Sequence, residues 1–447
     1  MWKTLRFHTS YKVERVILSG FLLVILAGAF LLWLSNNFVY AKPLSPVDAL
    51  FMATSAVCVT GLGVVDIATD FGLLSQIIMM GLIQIGGLGI MTGMMLISIA
   101  VGRRIGLRSR IFFLGGLGVD GVQGAITLFF TVIKYTLFFE GLGSAVMFAG
   151  FLLNGEDIPR AAYLAVFHSV SAFCNAGFSP CIGGLHDYKT TLIIPGTVMS
   201  LIVMGGLGFP VFAECANYVK CGKRHCLSVY AKLVLLITGG LLVVGTVLLM
   251  LSDWNAAFKD LPAWAKVWNA LFASVTARTA GFETVPSGAL SGLGQAIMIV
   301  LMIIGASPAS TGGGVKTTTF GVLAVSVWSE LHMRGEPTFL NRGISERTER
   351  RALSVIAIYL FTILAGSMLL TLIEDMPFSA IIFEVASALG TVGLTVGITT
   401  ELSTAGKLVV TLLMFWGRVG LYSFISTLVT ADGDSGIHYP STHIPIG

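Results

Sequence analysis

The chain has 447 residues, of which 55% are hydrophobic and only 11% charged, against about 25% charged in an ordinary soluble domain. That balance places the chain in a membrane and leaves no room for a separate soluble domain. The net charge of +4 is unevenly spread: seventeen of the 27 Lys and Arg fall in residues 3–15, 103–110, 220–232 and 334–351. The positive-inside rule makes those segments cytoplasmic, with the N-terminus inside, so the basic loops report topology and do not argue for nucleic-acid binding.

Residues 16–34 form the first apolar run, long enough to cross hydrocarbon. No small-residue cleavage site follows a short apolar core, so a retained helix is expected and a signal peptide is not. Pro43 and Pro46 open a segment of about 12 residues, too short to span. It ends on Ser55-Ala-Val-Cys-Val-Thr-Gly61-Leu, and an apolar run over 77–101, interrupted by Gly86-Gly-Leu-Gly89, returns the chain to the cytoplasm.

The same order recurs three times. Long apolar helices are predicted over 126–153, 230–251 and 353–373, each followed by a turn with Pro159, Pro262 or Pro377. Next come Ser171-Ala-Phe-Cys-Asn-Ala-Gly177-Phe, Thr276-Ala-Arg-Thr-Ala-Gly281-Phe (one residue shorter) and Ser387-Ala-Leu-Gly-Thr-Val-Gly393-Leu. The motif glycines are 116, 104 and 112 residues apart. The returning helices carry Gly205-Gly-Leu-Gly208, Gly305-Ala-Ser-Pro-Ala-Ser-Thr-Gly-Gly-Gly314 and Gly417-Arg-Val-Gly420. The expected fold is therefore an all-α integral membrane protein with eight transmembrane helices: four helix–pore-helix–helix repeats around one pseudo-fourfold pore. The repeats cover 13–110, 120–225, 229–334 (with an intramembrane loop at 305–319) and 350–430, before a tail at 431–447.

Non-helical backbone at membrane depth is tolerated only where protein buries it or water wets it. Four short extended segments must therefore meet at a hydrated axis, where their carbonyls can replace the water around a cation. Half-helices aim negative C-terminal ends at that axis, and a central glycine leaves the pore open. Within three residues of any motif glycine the only carboxylate is Glu283. Calcium or magnesium sites would recruit more, so a monovalent cation fits better.

These motifs, their order and the insertion Gly305-Ala-Ser-Pro-Ala-Ser-Thr-Gly-Gly-Gly-Val-Lys-Thr-Thr-Thr319 resemble the Trk/Ktr/HKT superfamily of potassium transporters over residues 13–430. The closest branch is that of the Ktr membrane subunits, KtrB. The resemblance implies potassium uptake through a filter made of Val59, Thr60 and Gly61; Asn175, Ala176 and Gly177; Thr279, Ala280 and Gly281; and Thr391, Val392 and Gly393. It implies a gate made of Ser307, Pro308, Ala309, Ser310, Thr311, Gly312, Gly313, Gly314, Lys316 and Arg418. K+ is then the substrate and Na+ an activator, with no covalent cofactor. The expected partners are a second copy in a homodimer, membrane lipid and a cytoplasmic KtrA-type ring that alone binds ATP or ADP. The resemblance also implies a bacterial cytoplasmic membrane with both termini inside.

Blander readings stand beside these. The second-helix glycines Gly86, Gly87, Gly205 and Gly206 suit packing or kinking better than ion contact. Arg278 is expected to be structurally paired, with Glu384 as its candidate neutralising partner, and Lys134 and Glu140 are expected to be satisfied structural groups. Cys221, His225 and Cys226 lack a second ligand pair for zinc. Gly312–Thr317 loosely resembles a phosphate-binding loop, but no strand precedes it. A secondary transporter for another solute would use broken helices too, though as two related halves. A membrane enzyme would need a partner for His168, and no second catalytic group stands at a readable spacing.

Overall fold

The computed structural model describes residues 2–89, 92, 125–221, 227–333 and 336–420. The basic segment 103–110, His225, Cys226 and the tail 431–447 lie outside the described residues. The fold is almost wholly helical.

Four long helices carry the exposed apolar surface: α1 (Trp2–Leu34), α4 (Ala125–Leu153), α8 (Val229–Asp253) and α12 (Glu346–Ile373). Leu23, Phe30, Leu137, Phe138, Leu251, Phe361 and Leu372 are all exposed on them. A helix that keeps such side chains outward is solvated by lipid rather than water.

Behind each long helix lies a short one: α2 (Pro46–Val57), α5 (Ile158–Phe173), α9 (Ala263–Thr276) and α13 (Phe378–Gly390). Their starts are set locally. Ser45 accepts from the Asp48 N–H at 3.0 Å, and Pro46 and Pro159 occupy the first helical turns of α2 and α5, where a missing N–H costs nothing. Each short helix buries one phenylalanine at the same place, Phe51, Phe167, Phe272 and Phe383, all 0–1% exposed. Apolar clusters form around and behind these helices, and the three main ones are separate. The packed core is thus peripheral, and the helices' C-terminal ends are left to face one another.

The returning helices are α3 (Leu73–Leu88), α6 (Ile193–Leu207), α10 (Gly292–Ile303) and α14 (Thr404–Val419), only 16, 15, 12 and 16 residues long. Against the eight full spans expected, four described helices are long and apolar enough to cross alone. The reason is the glycine motif. Gly89, Gly208 and Gly420 hold φ of 83°, 92° and 91°, which ends an α-helix. After Gly208 the chain turns by 101° into α7 (Phe209–Cys221). The third return breaks at Ile303 and resumes as α11 (Thr317–Leu331) after an intervening loop. Beyond α11 a small hairpin, Thr338–Phe339 with Arg342–Gly343, turns on Leu340 and Asn341, both at positive φ.

The returning helices also decide the arrangement of the whole. Besides touching its own short helix, α3 packs on α5, α6 on α9, α10 on α13 and α14 on α2. The contacts run from each copy to the next and close from the fourth to the first. A half-buried ion pair, Lys407 Nζ to Asp48 Oδ1 at 2.7 Å, seals that last junction across 359 residues of sequence.

Candidate ion-conducting site

Every short helix ends in the same way. Val59, Asn175, Thr279 and Thr391 take φ of 56°, 62°, 67° and 50°, each two residues before its motif glycine. The next residue's N–H reaches back to the residue that opens the motif: Thr60 to Ser55 O (2.8 Å), Ala176 to Ser171 O (2.7 Å), Ala280 to Thr276 O (3.0 Å) and Val392 to Ser387 O (2.8 Å). This is the Schellman closure of a helix C-terminus, except that the third copy, one residue shorter, closes one residue tighter. A non-glycine residue in the left-handed region costs about 1–2 kcal/mol, so four at matched positions amount to a built feature.

The glycines follow, with φ of 98°, 72°, 78° and 91° at Gly61, Gly177, Gly281 and Gly393. They meet in a ring. A Cβ on Gly61 would lie 2.5 Å from Ala176 O, one on Gly177 2.6 Å from Ala280 O, and one on Gly281 2.5 Å from Val392 O. A Cβ on Gly393 would run into Thr60 O, closing the circle. The cyclic order is the one the helix contacts gave, and no side chain beyond hydrogen fits at these four places. The oxygens nearest the four glycines are the backbone carbonyls of Ala176, Ala280, Val392 and Thr60, with no carboxylate atom among these nearest neighbours.

One set of side chains was present in the motifs with no role read for it. Ser55 Oγ accepts from the Gly61 N–H and Ser387 Oγ from the Gly393 N–H, both at 3.1 Å. Ser171 Oγ donates to Phe178 O at 2.9 Å and Thr276 Oγ1 to Phe282 O at 2.7 Å. The signal was a hydroxyl opening all four motifs, preceded four residues earlier by a phenylalanine in all four.

The loop between α10 and α11 lies beside the left-handed residues. Ile304 and Val315 bridge its base, and Ala306 N–H bonds Gly313 O at 3.2 Å. It is stitched to the break in α6: Ser307 N–H to Gly206 O (3.0 Å), Thr311 N–H to Gly205 O (3.2 Å) and Phe209 N–H to Ala309 O (2.9 Å). Thr311 Oγ1 donates to Phe173 O at 3.0 Å, and Tyr230 donates to Pro308 O at 3.2 Å. Gly312 sits against Thr279 Oγ1 and Gly313 against Thr391 Oγ1 so closely that neither admits a Cβ. Among the described residues, the hydroxyls of Thr60, Thr279 and Thr391 are buried with no hydrogen-bond partner. Ser310 Oγ donates to Ser307 O at 2.6 Å, while Ser307 Oγ accepts from Thr317 at 2.9 Å.

Two cations hold this loop. Lys316 Nζ donates to Gly312 O at 2.9 Å. Arg418 donates to Thr311 O and to Gly86 O, tying the loop to α3. Among the described residues neither is in a salt bridge, so both charges are compensated by carbonyl dipoles alone.

The pairing expected for Arg278 is not formed. Its guanidinium reaches Gly305 O at 3.4 Å, whereas Glu384 accepts from Thr395 (2.8 Å) and Thr399 (2.5 Å). Arg278 lies just past the end of α9 and Glu384 within α13, and the Glu384 carboxylate is taken up by the segment that follows its own motif glycine. Glu140 accepts from Gln84 at 3.2 Å, and Lys134 is exposed on α4. His168 bonds Leu164 O (2.8 Å) and Ser179 Oγ (2.9 Å), a fully satisfied imidazole. The second-helix glycines serve packing: a Cβ on Gly86 would lie 2.7 Å from the Val57 carbonyl carbon, and one on Gly417 2.9 Å from that of Leu389.

The family model described as TrkH, cation transport protein, matches residues 7–435. The chain is 36% identical over 440 residues to the Ktr system potassium uptake protein B of Bacillus subtilis, covering 97% of this chain and 96% of that one. Identity is 36% over 440 residues to the protein of the same name in Vibrio alginolyticus (97% and 94% covered), and 33% over 440 residues to the potassium/sodium uptake protein NtpJ of Enterococcus hirae (97% of each). Among solved structures, the potassium transporter TrkH of Vibrio parahaemolyticus superposes with a TM-score of 0.72 at 19% identity, over 93% of this chain and 84% of that one, a likeness of fold.

Proposed function

Because the chain belongs to the TrkH family of cation transport proteins, we propose that it takes up potassium across a bacterial cytoplasmic membrane through one pore lined by its four glycine segments. The family makes it a transporter and not an enzyme. The observation that carries the reading is the closed ring in which each motif glycine faces the carbonyl of the next segment. Carbonyls on a hydrated axis replace the water shell of a weakly hydrated cation. The four short helices direct their negative ends to the same place, and the unpartnered hydroxyls of Thr60, Thr279 and Thr391 add neutral oxygen ligands. The four helix–short-helix–helix units around this axis are the pseudo-fourfold repeats.

The loop spanning 305–316, with Lys316 and Arg418, is the gate. Two positive charges beside the ion path repel a cation in a medium where charge is poorly screened. Opening requires the loop to leave Thr279 and Thr391 and to release both cations. Two relatives are named as protein B of a potassium uptake system. That supports a second component acting from the cytoplasm, which we infer to be a nucleotide-binding ring on a homodimer of this chain. The potassium/sodium name of a third relative supports a part for Na+.

The test is potassium uptake in a bacterial cell stripped of its own uptake systems, expressing the full chain with and without a KtrA-type partner. Growth at low potassium is expected to be restored, more strongly with the partner. Correct membrane insertion with no rescue under either condition overturns the reading.

A further inference from the structure

Each short helix places one side chain, directly after its buried phenylalanine, at the level of the residue two beyond the motif glycine. The four pairs are Met52 with Gly63, His168 with Ser179, Ala273 with Glu283 and Glu384 with Thr395. They are equivalent in the repeat but not in chemistry. In the first pair, a Cβ on Gly63 would meet Met52 Sδ at 3.9 Å, an ordinary apolar contact. In the third, Ala273 and Glu283 share a small cavity with Phe258 and Thr276, and Glu283 turns away to accept from Ser287 at 2.6 Å.

The second and fourth pairs are hydrogen-bonded. Leu164 O only accepts, so His168 Nδ1 carries the proton and the neutral ring's Nε2 accepts from the Ser179 hydroxyl at 2.9 Å. Ser179 Oγ in turn accepts from the Cys181 N–H at 3.1 Å. In the fourth copy the Thr395 hydroxyl donates to Glu384 Oε2 at 2.8 Å and accepts from the Gly397 N–H at 3.0 Å. Thr399 donates to the other carboxylate oxygen. His168 and Glu384 are both 0% exposed, so both side chains are held in place by the packing around them as well as by these bonds.

We propose that His168 and Glu384 are positioning residues that brace the chain just beyond two opposed filter segments, and that this bracing sets the discrimination of potassium from sodium. The proposal rests on the filter reading above. Since helix contacts run in the order first, second, third, fourth and back to the first, the second and fourth copies face each other across the axis. In the size-fit account of selectivity, a carbonyl cage tells two monovalent ions apart by resisting shrinkage onto the smaller one. Directional bonds to buried, immobile side chains supply that resistance. The methionine and alanine of the other two copies exert no such directional hold. Two rigid walls facing each other fix one diameter of the ring and leave the other compliant.

The experiment measures uptake of K+ and Na+ as competing substrates by the full chain in cells, with expression and thermal stability followed in parallel. Glu384→Met and His168→Met place in these copies what the first copy has naturally. Each is expected to raise the K+ half-saturation about three- to tenfold relative to Na+, the worth of roughly one hydrogen bond, while the maximal rate stays within about twofold. Glu384→Gln keeps an acceptor for Thr395 and is expected to recover most of the discrimination. If the methionine variants do not insert, Thr395→Val and Ser179→Ala remove the same bonds from the other side at nearly unchanged volume. Gly281→Ser is the companion measurement. An unchanged K+/Na+ ratio in the bracing variants, with Gly281→Ser shifting it, overturns the bracing and leaves the filter standing. Equal loss of both ions without a change in ratio reduces these residues to structural ones. No shift in any variant, Gly281→Ser included, overturns both proposals.

Discussion

Val59 is β-branched and sits at φ 56°, a place where such a side chain is strained. It stays there because the backbone bond from Thr60 to Ser55 O and the Ser55 hydroxyl on the Gly61 N–H leave the turn no alternative. Thr391 repeats the arrangement, while at Asn175 and Thr279 the backbone closure recurs and the opening hydroxyl donates to Phe178 O or Phe282 O instead; about 1–3 kcal/mol of strain in each is balanced by closure bonds of similar worth. The glycines two residues further on have no such margin. Gly281→Ser puts a Cβ 2.5 Å from Val392 O, so that carbonyl must move. The expected outcome is a K+ half-saturation raised at least about tenfold, equivalent to ~1.4 kcal/mol, with measurable Na+ entry; competitive ion uptake checks it. At this scale the motif glycines were legible in the sequence because a fourfold recurrence cannot hide. The hydroxyls of Ser55, Ser171, Thr276 and Ser387 were equally visible, but what they bond was not, since two accept from an N–H and two donate to a carbonyl.

The returning helices stop where glycine lets them, and the third one stops hardest. Pro308 and three consecutive glycines cannot hold an α-helix across the membrane, and the resulting loop satisfies itself with the carbonyls and N–H that the break in α6 sets free. The third copy's insertion and the second copy's kink are thus one structure. Deleting residues 309–313 is expected to raise basal potassium flux in liposomes lacking any cytoplasmic partner, because the groups packed against Thr279 and Thr391 are gone; unchanged flux removes the loop as the gate. Arg418→Gln gives up the tie between Thr311 O and Gly86 O and is expected to raise basal flux in the same assay, while leaving the K+/Na+ ratio as it was. A fall in that ratio instead would move Arg418 from the gate to the filter. The irregular composition of residues 307–314 told that a helix breaks there. It did not tell that the broken ends of α6 receive the loop.

Taken whole, the molecule is a cycle of four units whose first and last members are joined by Lys407 and Asp48. Both side chains are about one-fifth exposed, so the pair is worth about 1 kcal/mol. Lys407→Met is expected to lower thermal stability in detergent by that order without altering selectivity, as melting and competitive uptake would report. A changed ion ratio would mean that the junction also sets the width of the pore. Sequence by itself determined what depends on neighbours along the chain: which runs are apolar, where glycine and proline interrupt them, and that the interruption comes four times. Those are matters of length, periodicity and backbone freedom, each legible from neighbouring residues, with the recurrence read at a spacing of 104 to 116 residues. Tertiary structure alone decided the partners. Arg278 and Glu384 looked like a natural ion pair as two buried opposite charges, yet the carboxylate is satisfied by Thr395 and Thr399, a short step along its own chain. The cyclic order also came only from the folded chain. It depends on which helix face each return helix covers, and that choice is made by the summed burial of many side chains rather than by any motif.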